Sequence, residues 1–65
     1  MKNDLRPFDM LEKMLGKMVT ATLKTGSVTG VLRAWDLHLN LWLADGTKDV
    51  FVRGENVVTL MPEEN

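Results

Sequence analysis

Asp36, His38 and Asn40 stand at alternate positions in a run, residues 34–45, whose other members are mostly apolar. A carboxylate, an imidazole and a carboxamide so spaced offer an acceptor, a flat ring and a donor beside an acceptor. One planar ligand can use all three, and a nucleobase suits them. On a period-two reading Leu39, Leu41 and Leu43 take one face of a strand, and His38, Asn40 and Trp42 the other. The polar groups then point away from the core.

Arg53 adds a guanidinium. The Asp45-Gly46 pair is the strongest short hairpin signal in the chain, and it returns the next strand beside the first. With Ala44 opposite Thr47, counting outward sets His38 across from Arg53, so a base can lie between an imidazole and a guanidinium.

Other chemistries fit these residues less well. A lone strand histidine is more often a hydrogen-bonded structural residue than a ligand reader, and only its company reverses that prior. One histidine, no cysteine and no second carboxylate cluster make a poor metal site, so neither a metal nor another cofactor is expected. Asp36 can also cap the bend that precedes the strand, a role compatible with positioning Asn40. Arg53 can pair with Glu55 or Asp36 as a surface ion pair of small worth. Trp35 and Trp42 read as packing or interface residues. Without a nucleophile near His38 or a phosphate loop, and with little room for a closed pocket, an enzyme is the weakest reading.

The elements that must carry these groups follow from periodicity. Residues 6–15 read as a helix with Pro7 in its first turn, Asp9 and Glu12 complementing its positive end, and Gly16 as its stop. Phe8, Leu11 and Leu15 recur at helical spacing, with Met10, Met14 and Met18 as an adjacent row; the stripe lids a core. Strands are expected at 18–24, 28–34, 38–44, 50–53 and 57–61, with a turn at Thr25-Gly26-Ser27 and a bend at Gly30. Gly54-Glu55-Asn56 breaks the fourth strand from the fifth, and Pro62 opens an acidic tail, 62–65. One domain, 1–65, is therefore expected: an N-terminal helix and a small, strongly bent five-stranded antiparallel barrel at 18–61.

Sixty-five residues bury a small core, and the absence of cysteine removes disulfides as a staple, leaving self-association. Val50-Phe51-Val52 and residues 57–61 carry apolar groups on both faces, which one half-exposed strand should not do. Pairing between the edges of two copies would satisfy backbone groups and bury Phe51. Eight basic against nine acidic side chains exclude a grip on nucleic acid by bulk charge, so such a site must be local. The apolar runs are short, and a cytoplasmic protein without membrane contact is the expectation.

Two blocks then carry a family resemblance. Gly16-Lys17-Met18-Val19, Leu23-Lys24-Thr25-Gly26, Gly30-Val31-Leu32 and Asp36-Leu37-His38-Leu39-Asn40-Leu41 with Asp45 resemble the first Sm motif, and residues 50–58, Val-Phe-Val-Arg-Gly-Glu-Asn-Val-Val, the second. The chain thus resembles the Sm and Sm-like (LSm) proteins, archaeal ones most closely. The resemblance implies an Sm fold, an SH3-like barrel, assembled as a ring in which the fourth strand of one copy pairs with the fifth of the next. The Arg53-Gly54 pair implies seven subunits, with six, as in the bacterial type, the alternative.

It further implies binding of U-rich single-stranded RNA at the inner rim of the pore, in RNA processing, stability or chaperoning. His38 and Arg53 would stack on the base, Asn40 would read its edge, Asp36 would hold Asn40 or Arg53, and Gly54 would keep its loop tight. Glu55 in place of the usual aspartate, Trp35 in place of Tyr or Phe, and a short third-to-fourth strand hairpin depart from the pattern. The rival functions are a ring scaffold for protein partners that binds RNA weakly, and a monomeric SH3-like peptide-binding module.

Overall fold

The computed structural model describes residues 7–63. A helix, α1 (Pro7–Met14), precedes five strands: β1 (Met18–Leu23), β2 (Gly26–Trp35), β3 (Leu41–Asp45), β4 (Lys48–Val52) and β5 (Val57–Pro62). A short 3-10 turn, Gly54–Asn56, joins the last two. The expected helix start at Arg6, the Phe8 side chain and the end of the acidic tail lie outside the described residues. Gly16 takes a left-handed φ of 82° and ends the helix as expected. Its N–H donates to the Leu32 carbonyl at 2.8 Å, tying the helix exit to β2. Leu11 is buried and Met14 half-buried, whereas Leu15, beyond the last helical turn, is exposed rather than part of the lid.

The strands form one antiparallel sheet in the order β4-β3-β2-β1-β5. The five strands and the helix are those the periodicity called for, with shifted ends. The sheet bends where its ladder is irregular, between Leu32 and Ala34 on β2 and between Thr22 and Leu23 on β1. Gly30 serves a different end than a bend alone: a Cβ there would stand 2.8 Å from the Ala44 carbonyl oxygen, so only glycine lets β2 and β3 pack this closely. Val19, Ala21, Leu32, Leu41, Leu43 and Val52 close the core with Leu11. Trp35 packs against that core as expected.

Three expectations about β3 fail together. Strand pairing starts at Leu41, not His38, and residues 36–40 form a turn instead. The hairpin pairs Asp45 with Lys48 and Ala44 with Asp49, leaving Gly46-Thr47 as the two-residue loop with Gly46 at φ 67°. The register is therefore two residues away from the one that set His38 opposite Arg53; extended past Leu41 and Val52, it brings Asn40, not His38, level with Arg53. Both loops have two residues, and the observed one places a left-handed glycine first and needs no positive φ at Thr47, whereas an Asp-Gly loop of the expected kind needs positive φ at both positions.

The sheet ends at β4 on one side and β5 on the other, so among the described residues neither strand has a ladder partner on its outer side. Both edges are apolar: Phe51 on β4 is 48% exposed, and Val58 and Met61 on β5 are each 60% exposed.

Candidate nucleic-acid interface

Asp36 organises the turn between β2 and β3. Its Oδ1 accepts the backbone N–H groups of His38 at 2.9 Å and Asn40 at 3.0 Å, and its Oδ2 accepts the Asn40 Nδ2 at 3.0 Å. Its carbonyl accepts the Leu39 N–H at 3.0 Å, closing a four-residue turn. An aspartate at the first position of such a turn, bonding two residues on, is the capping role that the sequence allowed it. The Asn40 carboxamide N–H does most to hold the Asp36 carboxyl below the usual carboxylate range; partial desolvation opposes it, and the backbone N–H groups of Asn40 and His38, with the nearby imidazole charge, lower it further.

Asn40 then joins the two motifs. Its Oδ1 accepts the Gly54 N–H at 2.7 Å, across 14 residues of sequence. The carboxamide has two N–H groups and two lone pairs, and these bonds use one of each. One donor and one acceptor remain for a ligand. Gly54 is held against the turn so closely that a Cβ would stand 2.3 Å from the His38 carbonyl oxygen and 2.8 Å from that of Leu39. Only a residue without a side chain fits there.

His38, Leu39, Asn40, Arg53, Gly54 and Glu55 line one open depression of about 580 Å³. The structure thus gathers His38, Asn40, Arg53 and Gly54 at one mouth, with Asp36 behind Asn40. Of the two partners foreseen for Asp36 it has Asn40; Arg53 pairs instead with Glu55, Nη2 to Oε2 at 3.0 Å. Both side chains are largely solvent-exposed, so the pair is weak and yields readily to a ligand.

The period-two reading put Leu39 on the core face of a strand with Leu41 and Leu43, whereas the structure places it in the turn before β3, 36% exposed. It takes a left-handed φ of 64°, rare for a branched residue, and its side chain also lines the apolar cavity under α1 with Met10, Leu11 and Leu41. The clue was the Asp36 turn itself: a four-residue turn leaves Leu39 as the residue that must redirect the chain into β3. Among the described residues no group of histidines and carboxylates can hold a metal, and no helix is long and apolar enough to cross a membrane.

Comparison with known proteins gives a consistent result. The model of the LSM domain family matches residues 9–62. The chain is 36% identical to the SmAP (LSm) protein of Methanococcus vannielii, covering 91% of this chain and 98% of that one with a TM-score of 0.79. It is 30% identical to Pyrobaculum aerophilum SmAP1, solved as a heptamer, covering 97% and 100% with a TM-score of 0.82. It is 32% identical to the Pyrococcus abyssi Sm protein, solved in complex with a uridine heptamer, covering 91% and 100% with a TM-score of 0.79.

Proposed function

This chain belongs to the LSM domain family, the Sm-like proteins, and from that membership we propose that it forms a cytoplasmic ring that binds U-rich single-stranded RNA at the mouth built by His38, Asn40 and Arg53. One observation carries the reading: the Asn40 carboxamide is clamped between Asp36 and the Gly54 N–H and still offers one donor and one acceptor beside an imidazole and a guanidinium. The adjacent N–H and carbonyl of uracil match that pair, while His38 and Arg53 supply sequence-tolerant stacking of roughly 1–3 kcal/mol per base. The uridine heptamer bound by the Pyrococcus abyssi relative supports the same base.

The two open, apolar edges support the ring. Val50 to Arg53 of one copy pairs with Val57 to Met61 of the next, covering Phe51; seven copies are expected, as in the Pyrobaculum aerophilum relative. Repetition around the ring multiplies a weak single-base affinity. Such a protein acts in RNA processing, stability or chaperoning, by binding and not by catalysis.

Mass measurement of the intact assembly tests the ring, and a monomer defeats it. Anisotropy titrations with short oligo-U, oligo-A and oligo-C at one salt concentration test the site. Oligo-U binds tightest, and Asn40→Ala reduces that lead; oligo-A equal to or above oligo-U in the wild type defeats the base assignment.

A further inference from the structure

Leu39 stands in a wall between two spaces. One is the open depression at His38, Asn40 and Arg53. The other is an apolar cavity of about 250 Å³ beneath α1, bounded by Met10 and Met14 of the helix, Leu41 of β3, and Val57 and Leu60 of β5. Among the described residues, Leu39 and Gly54 are the two that line both. The two leucines of the turn differ accordingly: Leu37 is 83% exposed, whereas Leu39, at its left-handed φ, puts its side chain into the cavity wall facing α1.

Glycine or asparagine adopts a left-handed φ at less cost than leucine, so backbone geometry alone does not ask for leucine here. The apolar cavity does, because it takes the side chain out of water. The backbone of the same residue presses on the second motif: a Cβ on Gly54 would stand 2.8 Å from the Leu39 carbonyl oxygen and 2.9 Å from its carbonyl carbon. The next residue is Asn40, whose Oδ1 accepts the Gly54 N–H at 2.7 Å. The height of the turn above Gly54 is therefore fixed from two sides, by the Leu39 side chain under the helix and by the Asn40 bond.

We propose that Leu39 is a positioning residue for base reading, and that α1 sets the reader through it. The side chain, wedged between α1 and the turn Gly54–Asn56, keeps the Asn40 carboxamide aligned with the Gly54 N–H, so that its free donor and acceptor keep one direction. Without the wedge the turn retains its hydrogen bonds to Asp36 but rocks over Gly54. Stacking on His38 and Arg53 survives, and discrimination between bases falls. The inference rests on the reading of Asn40 as the group that recognises the base edge. Coupling of this kind is reciprocal, so a bound base in turn steadies α1 against the barrel.

The assembled protein is titrated with oligo-U and oligo-A at one salt concentration, and the Asn40 side-chain amide signals are followed by NMR without RNA. Leu39→Gly removes the wedge and relaxes the backbone at once; it cuts the lead of oligo-U over oligo-A about five-fold and moves the Asn40 signals, with the assembly mass unchanged. Leu39→Met, which refills the wall, restores both. Met10→Ala, on α1 and outside the depression, moves both readouts the same way by a smaller factor and adds little to Leu39→Gly. Leu37→Ala, in the same turn, moves neither. Amide exchange in α1 slows when oligo-U binds the wild type and not when it binds Leu39→Gly. The proposal is overturned if Leu39→Gly keeps wild-type discrimination and unmoved Asn40 signals in an intact ring, or if Met10→Ala has no effect on either. If Leu39→Gly does not assemble, Met10→Ala carries the test. Failure of the uracil reading looks different: the wild type then shows no lead of oligo-U, or Asn40→Ala does not reduce it, and the RNA-free Asn40 signals alone decide whether Leu39 positions the carboxamide.

Discussion

The turn at residues 36–40 and the edges of the sheet solve opposite problems. In the turn almost every polar group is answered from within the chain: Asp36 accepts from His38, Leu39 and Asn40, and Asn40 reaches across to Gly54. At the edges, among the described residues, β4 and β5 each leave one side of the backbone without a ladder and expose Phe51, Val58 and Met61. A closed network makes a reading site whose geometry exists before any ligand arrives, and little ordering entropy remains to be lost on binding. An open edge instead makes a site completed only by another copy. On the proposed function the reader is therefore set within each subunit, and its multiplicity is set by assembly.

The largest break between the two regions should come at the edge. Phe51→Asp puts a charge where the neighbouring strand must cover it, at a cost of several kcal/mol, and sedimentation should find the ring dissociated or the chain unfolded. A ring that survives this change would mean that the contact lies elsewhere.

Gly54→Ala attacks the other region and should leave the edge alone. The added Cβ meets two backbone carbonyls, which cannot swing aside as a side-chain tip would. The turn must shift, costing roughly 1–3 kcal/mol. Oligo-U affinity should fall about ten-fold while the assembly mass is unchanged; unchanged affinity would show that the Asn40 to Gly54 bond is not what orients the reader.

Within the reader, His38 and Arg53 line one depression although they are not level in the ladder. If both stack on one base, a double-mutant cycle of His38→Ala and Arg53→Ala on oligo-U binding should give a coupling of roughly 0.5–3 kcal/mol. Strict additivity would assign them to different parts of the RNA. Arg53→Ala should also flatten the salt dependence, because it removes a permanent cation.

The gentlest contrast is with pH. The Asp36 carboxyl sits below its usual range in the folded chain, so near pH 4 and below the unfolded chain takes up the proton more readily. Its contribution is thus present above about pH 4 and lost as pH falls through the lower, folded value. In an acid titration followed by NMR, the Asn40 side-chain amide signals should move in that window while those of core residues such as Leu43 hold. Asp36→Asn should abolish the effect; if the same movement persists in that variant, another group controls the turn.

Much of this was legible in one dimension. Alternation at Val19 and Ala21 and again at Leu41 and Leu43 names core positions, because a strand that buries one face must alternate. All four of those residues are buried. The apolar character of Phe51, Val58 and Met61 likewise announced an edge that one chain does not cover. Asp36, His38, Asn40 and Arg53 were identifiable by type, since few side chains offer a ring, an edge reader and a cation so near one another.

What remained was three-dimensional. Period two carried Asn40 and His38 into a strand that they do not join, because local alternation cannot sense an aspartate whose carboxylate draws three N–H groups into a turn. The hairpin register depended on which two residues form the loop, and a slip of two preserves the face of every side chain, so hydrophobic pattern alone could not choose. The bond from Gly54 to Asn40, and the meeting of Met10, Leu39 and Leu60 around one cavity, join residues from separate elements. Sequence by itself determined which residues are buried in strands and which carry chemistry, since those follow from side-chain type and local period. Only the tertiary structure decided which of them meet, because contact between distant residues depends on register and on how closely two backbones approach.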